Sequence, residues 1–232
     1  MEYSLILGAL MVCCVAAQYQ QDPYPQPYPS YSYKKPKVLV AKPTDTYHFI
    51  YNDEKTGAFN RLSIWLPTST EEGYFALGQV AKKGHGYPNA LPEDQVVSLM
   101  VKELKPYILA PPQEFKEIWN DKLSGGKLYV RVMEMVPPPG FTCLGNVAVI
   151  GYDKLPNRDL YRCVKTEYIS KGFHSQIWNT TGSGCKQDAS IWRNNADIQV
   201  NTFTCVTKYA PPENQPAALH QDYVIEVKAV FV

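Results

Sequence analysis

A short phrase occurs twice in this chain at one spacing, and that spacing limits what the chain can fold into. Ile50-Tyr51-Asn52-Asp53 is followed by Gly73-Tyr74, by Leu77-Gly78-Gln79-Val80-Ala81 and by Pro88-Asn89. Ile118-Trp119-Asn120-Asp121 is followed by Gly140-Phe141, by Leu144-Gly145-Asn146-Val147-Ala148 and by Pro156-Asn157. The offset is 67 or 68 residues throughout. A period that long implies one supersecondary unit used repeatedly, each copy needing its neighbours to close a core. A worn third copy follows. Ile177-Trp178-Asn179 stands 59 residues after Ile118-Trp119-Asn120, Ser190-Ile191-Trp192-Arg193 echoes Ser63-Ile64-Trp65-Leu66, and Phe203-Thr204-Cys205 echoes Phe141-Thr142-Cys143.

The segments between these landmarks are short, rich in Val, Ile, Tyr and Trp, and punctuated by Gly, Pro, Asn and Asp. Several alternate, as in Lys127-Leu128-Tyr129-Val130-Arg131-Val132. That is an all-β pattern. Pro92–Leu104 and Pro112–Trp119 are the only helix candidates, and both compete with strand readings. The expected body is three pseudo-repeats of about four antiparallel strands (units about 42–108, 109–170 and 171–232), in a β-prism-like or similar closed array. In the first two units the fourth strands are expected at Val96–Met100 and Tyr161–Lys165.

The N-terminal stretch has a different character. Residues 1–17 read as a secretory signal, with an apolar run from Leu5 to Val15 and small residues, Val15-Ala16-Ala17, before Gln18. The apolar run is too short to span a bilayer. Residues 18–41 begin almost entirely as Gln, Tyr and Pro, then add Lys34-Lys35-Pro36-Lys37. Alternate prolines favour an extended, polyproline-like tail, and tyrosines beside lysines are open to oxidative coupling. The body, 42–232, has an ordinary globular balance, the whole chain being 45% hydrophobic and 19% charged. A net charge of +1 gives no long-range steering toward nucleic acid or anionic lipid.

Cys13 and Cys14 would leave with the signal, so Cys143, Cys163, Cys185 and Cys205 remain. An even count in an oxidising compartment suggests two disulfides, with three possible pairings. Cys143–Cys163 and Cys185–Cys205 are favoured because each closes a loop of roughly 20 residues inside one unit, worth about 3 kcal/mol in the chain-entropy model. A zinc site would want close Cys-x-x-Cys pairs, and there are none.

The chemistry-bearing residues are sparse. His48, His85, His174 and His220 are not at metal-ligand spacing with one another. There is no Gly-x-Ser-x-Gly elbow, and Lys83-Gly84-His85-Gly86-Tyr87-Pro88 lacks a following Gly-Lys-Ser/Thr, so it reads as a hairpin connection. Asn52-Asp53 and Asn120-Asp121 occupy corresponding turns. They are either ligand turns, for calcium or carbohydrate, or simply turn caps. Trp65, Trp119, Trp178 and Trp192 recur at fixed places, which suits a shared core better than a sugar platform. Asn179-Thr180-Thr181 is an N-glycosylation sequon in a predicted turn.

Several of these phrases together, from Pro112-Gln113-Glu114-Phe115 through Ile118-Trp119-Asn120-Asp121 and Pro138-Pro139-Gly140-Phe141 to Arg162-Cys163-Val164, resemble the vacuolar protein sorting-associated protein 62 family and its plant relatives. Ser63-Ile64-Trp65-Leu66-Pro67 and Gly73-Tyr74-Phe75-Ala76-Leu77-Gly78 extend the resemblance to the first unit, so that it covers most of residues 45–232. It implies a β-rich repeat body and no established catalytic activity or ligand residues. The signal and the tail shift the expected setting to the extracellular space. The expectation is therefore a secreted, non-enzymatic structural or binding component of an extracellular matrix, without cofactor. Its expected partners are other matrix proteins or polysaccharide. The alternative is a soluble lectin-like defence protein using the Asn-Asp turns, and a membrane-acting module comes third.

Overall fold

The computed structural model describes residues 34–44, 46–94 and 96–227. The signal region and most of the tail lie outside the described residues. The described chain is all β, with three single 3₁₀ turns and no α-helix.

The chain runs through β1 (Leu39–Pro43), β2 (Thr46–Asn52), β3 (Leu62–Thr68), β4 (Val80–Lys83) and β5 (Leu99–Glu103). It continues as β6 (Leu109–Ala110), β7 (Glu114–Asn120), β8 (Val130–Val136), β9 (Phe141–Thr142), β10 (Asn146–Ile150) and β11 (Cys163–Lys165). It ends with β12 (Ile169–Lys171), β13 (Phe173–Asn179), β14 (Ser190–Asn195), β15 (Phe203–Val206), β16 (Ala217–Leu219) and β17 (Val224–Glu226). Neither helix candidate is a helix: β5 occupies the end of the first, and β7 covers most of the second and runs on to Asn120.

Three antiparallel meanders, β2-β3-β4, β7-β8-β10 and β13-β14-β15, share one construction. In each, the register of the first strand slips at the Ile of the repeated phrase, between Phe49 and Tyr51, Glu117 and Trp119, or Gln176 and Trp178. A bulge there brings the aromatic that follows, Tyr51, Trp119 or Trp178, to the inner face, where each is 1% exposed. The three aromatics then pack with Leu62, Ile64, Val130, Val132, Ile191 and Phe203 in one cluster, Trp119 and Trp178 meeting edge to face at 5.8 Å. A second core, built on Leu39, Leu77, Val101, Leu144, Val164 and Leu219, draws on the remaining short strands.

The expected fourth strands do not extend the meanders. β5 pairs with β1, and β11 pairs with β6 and β9; after the third meander β16, at which no strand is expected, pairs with β12. The loop after each meander's last strand carries the chain back to the strand that preceded the meander. The tail boundary moves as well. Val38 and Leu39 are buried, and β1, which starts at Leu39, is sandwiched between β5 and a parallel β17. Val38, Leu39 and Ala41 therefore belong to the body, because their apolar side chains complete the second core. Lys35 and Lys37 lie against the other end of the described chain, Lys35 Nζ at 3.2 Å from Asp222 and Lys37 Nζ donating to the Gln221 carbonyl.

Of the two expected disulfides, Cys143–Cys163 is formed and Cys185–Cys205 is not. Cys205 is held on β15 opposite Ile191. Cys185 is held in the β13–β14 turn, where its amide donates to Ser183 Oγ and the next amide, Lys186, donates to the Lys122 carbonyl. The ladder fixes one cysteine and the turn fixes the other. Burial pushes the Cys205 thiol up to about 12 and raises Cys185 too, so both are held as poor nucleophiles. Mass mapping under non-reducing conditions is expected to find one bridge, Cys143–Cys163, and alkylation of the unfolded chain to find thiols at Cys185 and Cys205.

The same turn position is left-handed in all three meanders: Lys55 at φ 68°, Leu123 at 69° and Gly182 at 82°. A methyl on Gly182 would sit 2.5 Å from the Gly57 carbonyl oxygen and 2.7 Å from the Phe59 ring. At Leu123 the side chain is 77% exposed, and the left-handed backbone costs about 1 kcal/mol. Leu123→Gly is therefore expected to raise the urea midpoint by the equivalent of about 1 kcal/mol, and Gly182→Ala to lower it.

Candidate functional site

The Asn-Asp turns singled out in the sequence are interior fastenings. Asp53 and Asp121 are 2% and 1% exposed. Asp53 Oδ1 accepts the Leu62 amide at 2.8 Å, Asp121 Oδ1 accepts that of Val130 at 2.9 Å, and Thr180 Oγ1 accepts that of Ala189 at 3.0 Å. Each acceptor closes a nine-residue step. Asn52, Asn120 and Asn179 each accept the amide two residues on, as Asx turns do. Asn52 also donates to the Gly86 carbonyl, and Asn120 to Glu117. The ligand-turn reading of Asn52, Asp53, Asn120 and Asp121 is thereby corrected: the two carboxylates are inside the protein, and the amides are taken by neighbours. Burial raises both aspartate pKa values, against the Leu62 amide and His85 at Asp53 and the Val130 amide and Tyr152 at Asp121.

The tryptophans are likewise structural. Trp65, Trp119 and Trp178 are buried and Trp192 half-buried. Their indole N–H groups donate to Ser63, to the Gln187 carbonyl, to Asp53 Oδ2 and to Ser190 respectively. Among the histidines, His174 contacts the Asn214 carbonyl and His220 accepts the Asp222 amide in a 3₁₀ cap. His85 Nε2 lies 2.7 Å from Asp53 Oδ1. Among the described residues no three His, Cys, Asp or Glu side chains gather as metal ligands do, and no helix is long and apolar enough to cross a membrane.

A recess lies between the first and third meanders. It is a cleft of about 760 Å³ walled by Arg61, Lys83, His85, Tyr87, Asp94 and Arg193. A recess of about 270 Å³, with Asn60 and Gln176, shares Arg61 and Lys83 with it. Another of about 480 Å³, with Asn195 and Asn201, shares Asp94 and Arg193. Together they form one polar groove.

Its walls follow from local structure. Arg61 directly precedes β3, and Lys83 ends β4, opposite Leu62. The chain then turns through Gly84 and Gly86; a side chain at Gly86 would run into the Trp65 ring at 2.2 Å. The predicted hairpin connection closes tightly, Tyr87 and Ala90 exchanging both backbone hydrogen bonds. Asp94 ties the far wall to the third meander. It accepts the Lys83 amide at 2.9 Å and Arg193 Nη2 at 2.6 Å through Oδ2, and the Val96 amide at 3.2 Å through Oδ1. Lys82, 2% exposed, donates to the carbonyls of Asp94 and Val96 and lies over the Tyr47 ring. Burial lowers its pKa. The loop is thus held from beneath at both ends.

With this geometry fixed, the fold can be compared with known proteins. It is shared with GNIP1Aa from Chromobacterium piscinae. That structure superposes with a TM-score of 0.70 over 82% of this chain, at 22% identity. The chain spans 38% of that protein's length. At such identity the likeness shows the fold alone. No family model matches the chain, and no curated protein matches it.

The sequence reading missed the groove because no motif marks it. Arg61 precedes β3, Lys83 ends β4 and Arg193 lies within β14, and Arg193 enters only as a worn echo of Leu66. Burial by itself would raise the Asp94 carboxyl, but the Lys83 amide and the Arg193 guanidinium outweigh it and hold the group below its ordinary 3.8. A carboxyl so held binds its proton less readily folded than unfolded. It therefore adds stability above pH 3.8, and that contribution is lost as pH falls through the lower folded value. Asp94→Asn is expected to lower the urea midpoint at neutral pH and to leave a smaller loss on acidification, measured by parallel titrations at neutral and acid pH.

Proposed function

We propose that this chain is a secreted, non-catalytic structural or binding component of an extracellular matrix, of the shell, cuticle or adhesive type. The observation that carries the binding role is the open groove between the first and third meanders. Its walls are planar and polar, with guanidinium, amide, phenol and imidazole groups on a rigid frame, which suits a hydrated polymer rather than a small apolar ligand. The signal-like segment and the Tyr/Pro/Gln stretch support the matrix setting, and the Cys143–Cys163 bridge suits an oxidising compartment. Asn179 is half-buried with its Oδ1 engaged by the Thr181 amide, and we read it as a glycan site. The resemblance to the vacuolar protein sorting-associated protein 62 family, and the reading of the three meanders as pseudo-repeats in a prism-like array, belong to the same proposal.

A soluble lectin-like defence protein is the second reading. The groove favours it, whereas the Asn-Asp turns do not, because their carboxylates are buried. Fractionation of native tissue separates the two. The matrix role predicts that the protein stays with the insoluble fraction until strong denaturant is applied. Full recovery in body fluid, with none in the insoluble fraction, would leave only the soluble reading.

A further inference from the structure

We propose that the groove binds an acidic oligosaccharide, with Arg61 and Lys83 reading the carboxylate or sulfate groups. This deepens the binding role proposed above and rests on it. The argument comes from comparing corresponding positions in the three meanders.

Arg61, Tyr129 and Asp188 each precede the residue whose amide is held by Asp53, Asp121 or Thr180. Lys83 stands opposite Leu62 and Ile150 opposite Val130; Thr207 follows Val206, which stands opposite Ser190. Two residues further on come His85, Tyr152 and Tyr209, each in contact with its own turn's acceptor at 2.7, 2.8 and 3.2 Å. The same three places therefore hold Arg-Lys-His, Tyr-Ile-Tyr and Asp-Thr-Tyr.

In the second and third meanders these side chains satisfy one another. The Tyr129 and Tyr152 rings lie 5.6 Å apart, and the Tyr209 hydroxyl donates to Asp188 Oδ1 at 2.7 Å. In the first meander two cations stand side by side on the cleft wall. Among the described residues neither the Arg61 nor the Lys83 side chain makes a hydrogen bond or ion pair. Two unpaired like charges lining the same cleft repel one another unless something offsets them. A bound anion does so, and a guanidinium beside an ammonium suits a carboxylate or sulfate.

Of the two acids of the wall, Glu93 and Asp94, neither pairs with the Arg61 or Lys83 side chain among the described residues. Asp94 is taken up by Arg193 and two backbone amides, and three cations face two carboxylates in all. A lone small anion would use little of about 760 Å³. The amide-lined extensions at both ends, and Tyr87 at 45% exposure, fit a chain of sugar rings. A net charge of +1 gives a long anionic polymer such as nucleic acid no general attraction, so recognition has to be local.

Titration calorimetry on the full chain tests this with a hexameric polyuronate, a sulfated hexaglucan, the unmodified hexaglucan and inorganic sulfate. At least one acidic hexamer should bind saturably, at one site and more weakly as salt rises, while the neutral hexamer and sulfate bind at least about tenfold more weakly. Arg61→Asp with Lys83→Thr, the pair found in the third meander, should weaken the acidic hexamer by about tenfold or more. Arg61→Lys should keep most of the binding. Both substituted residues are at the surface, and an unchanged thermal midpoint confirms the fold. Equal binding of neutral and acidic hexamers, full affinity in the double variant, sulfate as tight as the hexamers, or no binding by either acidic hexamer would each overturn the proposal. A protein retained in the insoluble fraction that fails here would lose this inference and keep its matrix role.

Discussion

One oxygen at the end of each meander's first strand governs the structure. Asp53, Asp121 and Thr180 each accept the amide nine residues on, and that bond fixes where the second strand begins. A loop of that length would otherwise let the hairpin slip by a residue, which would turn every side chain to the wrong face. The acceptors are buried, so they must be satisfied or they cost folding energy. Trp178 Nε1 supplies the second oxygen of Asp53, joining the third meander to the first. Trp119 Nε1 reaches the Gln187 carbonyl, joining the second to the third. Tyr51 holds the corresponding place between the first and second. There Asp121 Oδ2 has no partner at ordinary hydrogen-bond geometry, although the phenol is near enough to favour the carboxylate.

The turns then hold one another. Phe59 N donates to the Thr181 carbonyl, Lys127 N to that of Glu54 and Lys186 N to that of Lys122. Each meander gives one such bond and receives one, so the three turns form a closed ring. This explains how the third meander can differ in sequence from the other two within one construction. Thr180 replaces an aspartate, yet its hydroxyl still accepts the required amide. Gly182 replaces Lys55 and Leu123 at the left-handed position and allows the close approach of Gly57 and Phe59. What the ring needs is an acceptor and a positive φ, and several residue types provide them.

That requirement also separates what was legible in the sequence from what was not. The Asn-Asp-to-Gly turns were legible because their chemistry is local, and the all-β character because short alternating segments allow little else. The Cys143–Cys163 pairing was legible too, since both cysteines flank one short excursion. The same loop-length argument failed for Cys185 and Cys205, whose backbones are pinned by a turn and a ladder that chain entropy does not see. The partners of β5 and β11 were hidden for a related reason: adjacency in sequence suggested a four-stranded sheet, whereas the return loops carry those strands to β1 and β6. The groove was least legible of all, because residues 61, 83, 94 and 193 meet only after three turns have closed.

The repeated positions and the recognition positions are therefore under different constraints. The turns that build the ring are interlocked through their backbones, so a change there is felt by two meanders at once. Positions 61, 83 and 85 sit just outside the ring, on a frame that the ring keeps still. Lys82 holds the carbonyls of Asp94 and Val96 from below, and Asn52 holds that of Gly86, so the cleft wall is fixed before any ligand arrives. A preformed wall loses little conformational freedom on binding, so under the proposed oligosaccharide role contacts to single sugar units would add with little ordering cost. The tyrosine pair of the second meander and the Tyr209–Asp188 contact of the third show the other outcome of the same geometry, in which side chains close on themselves and leave nothing to offer a ligand. At these places the first meander leaves two cations facing outward, and it does so beside a recess of about 760 Å³.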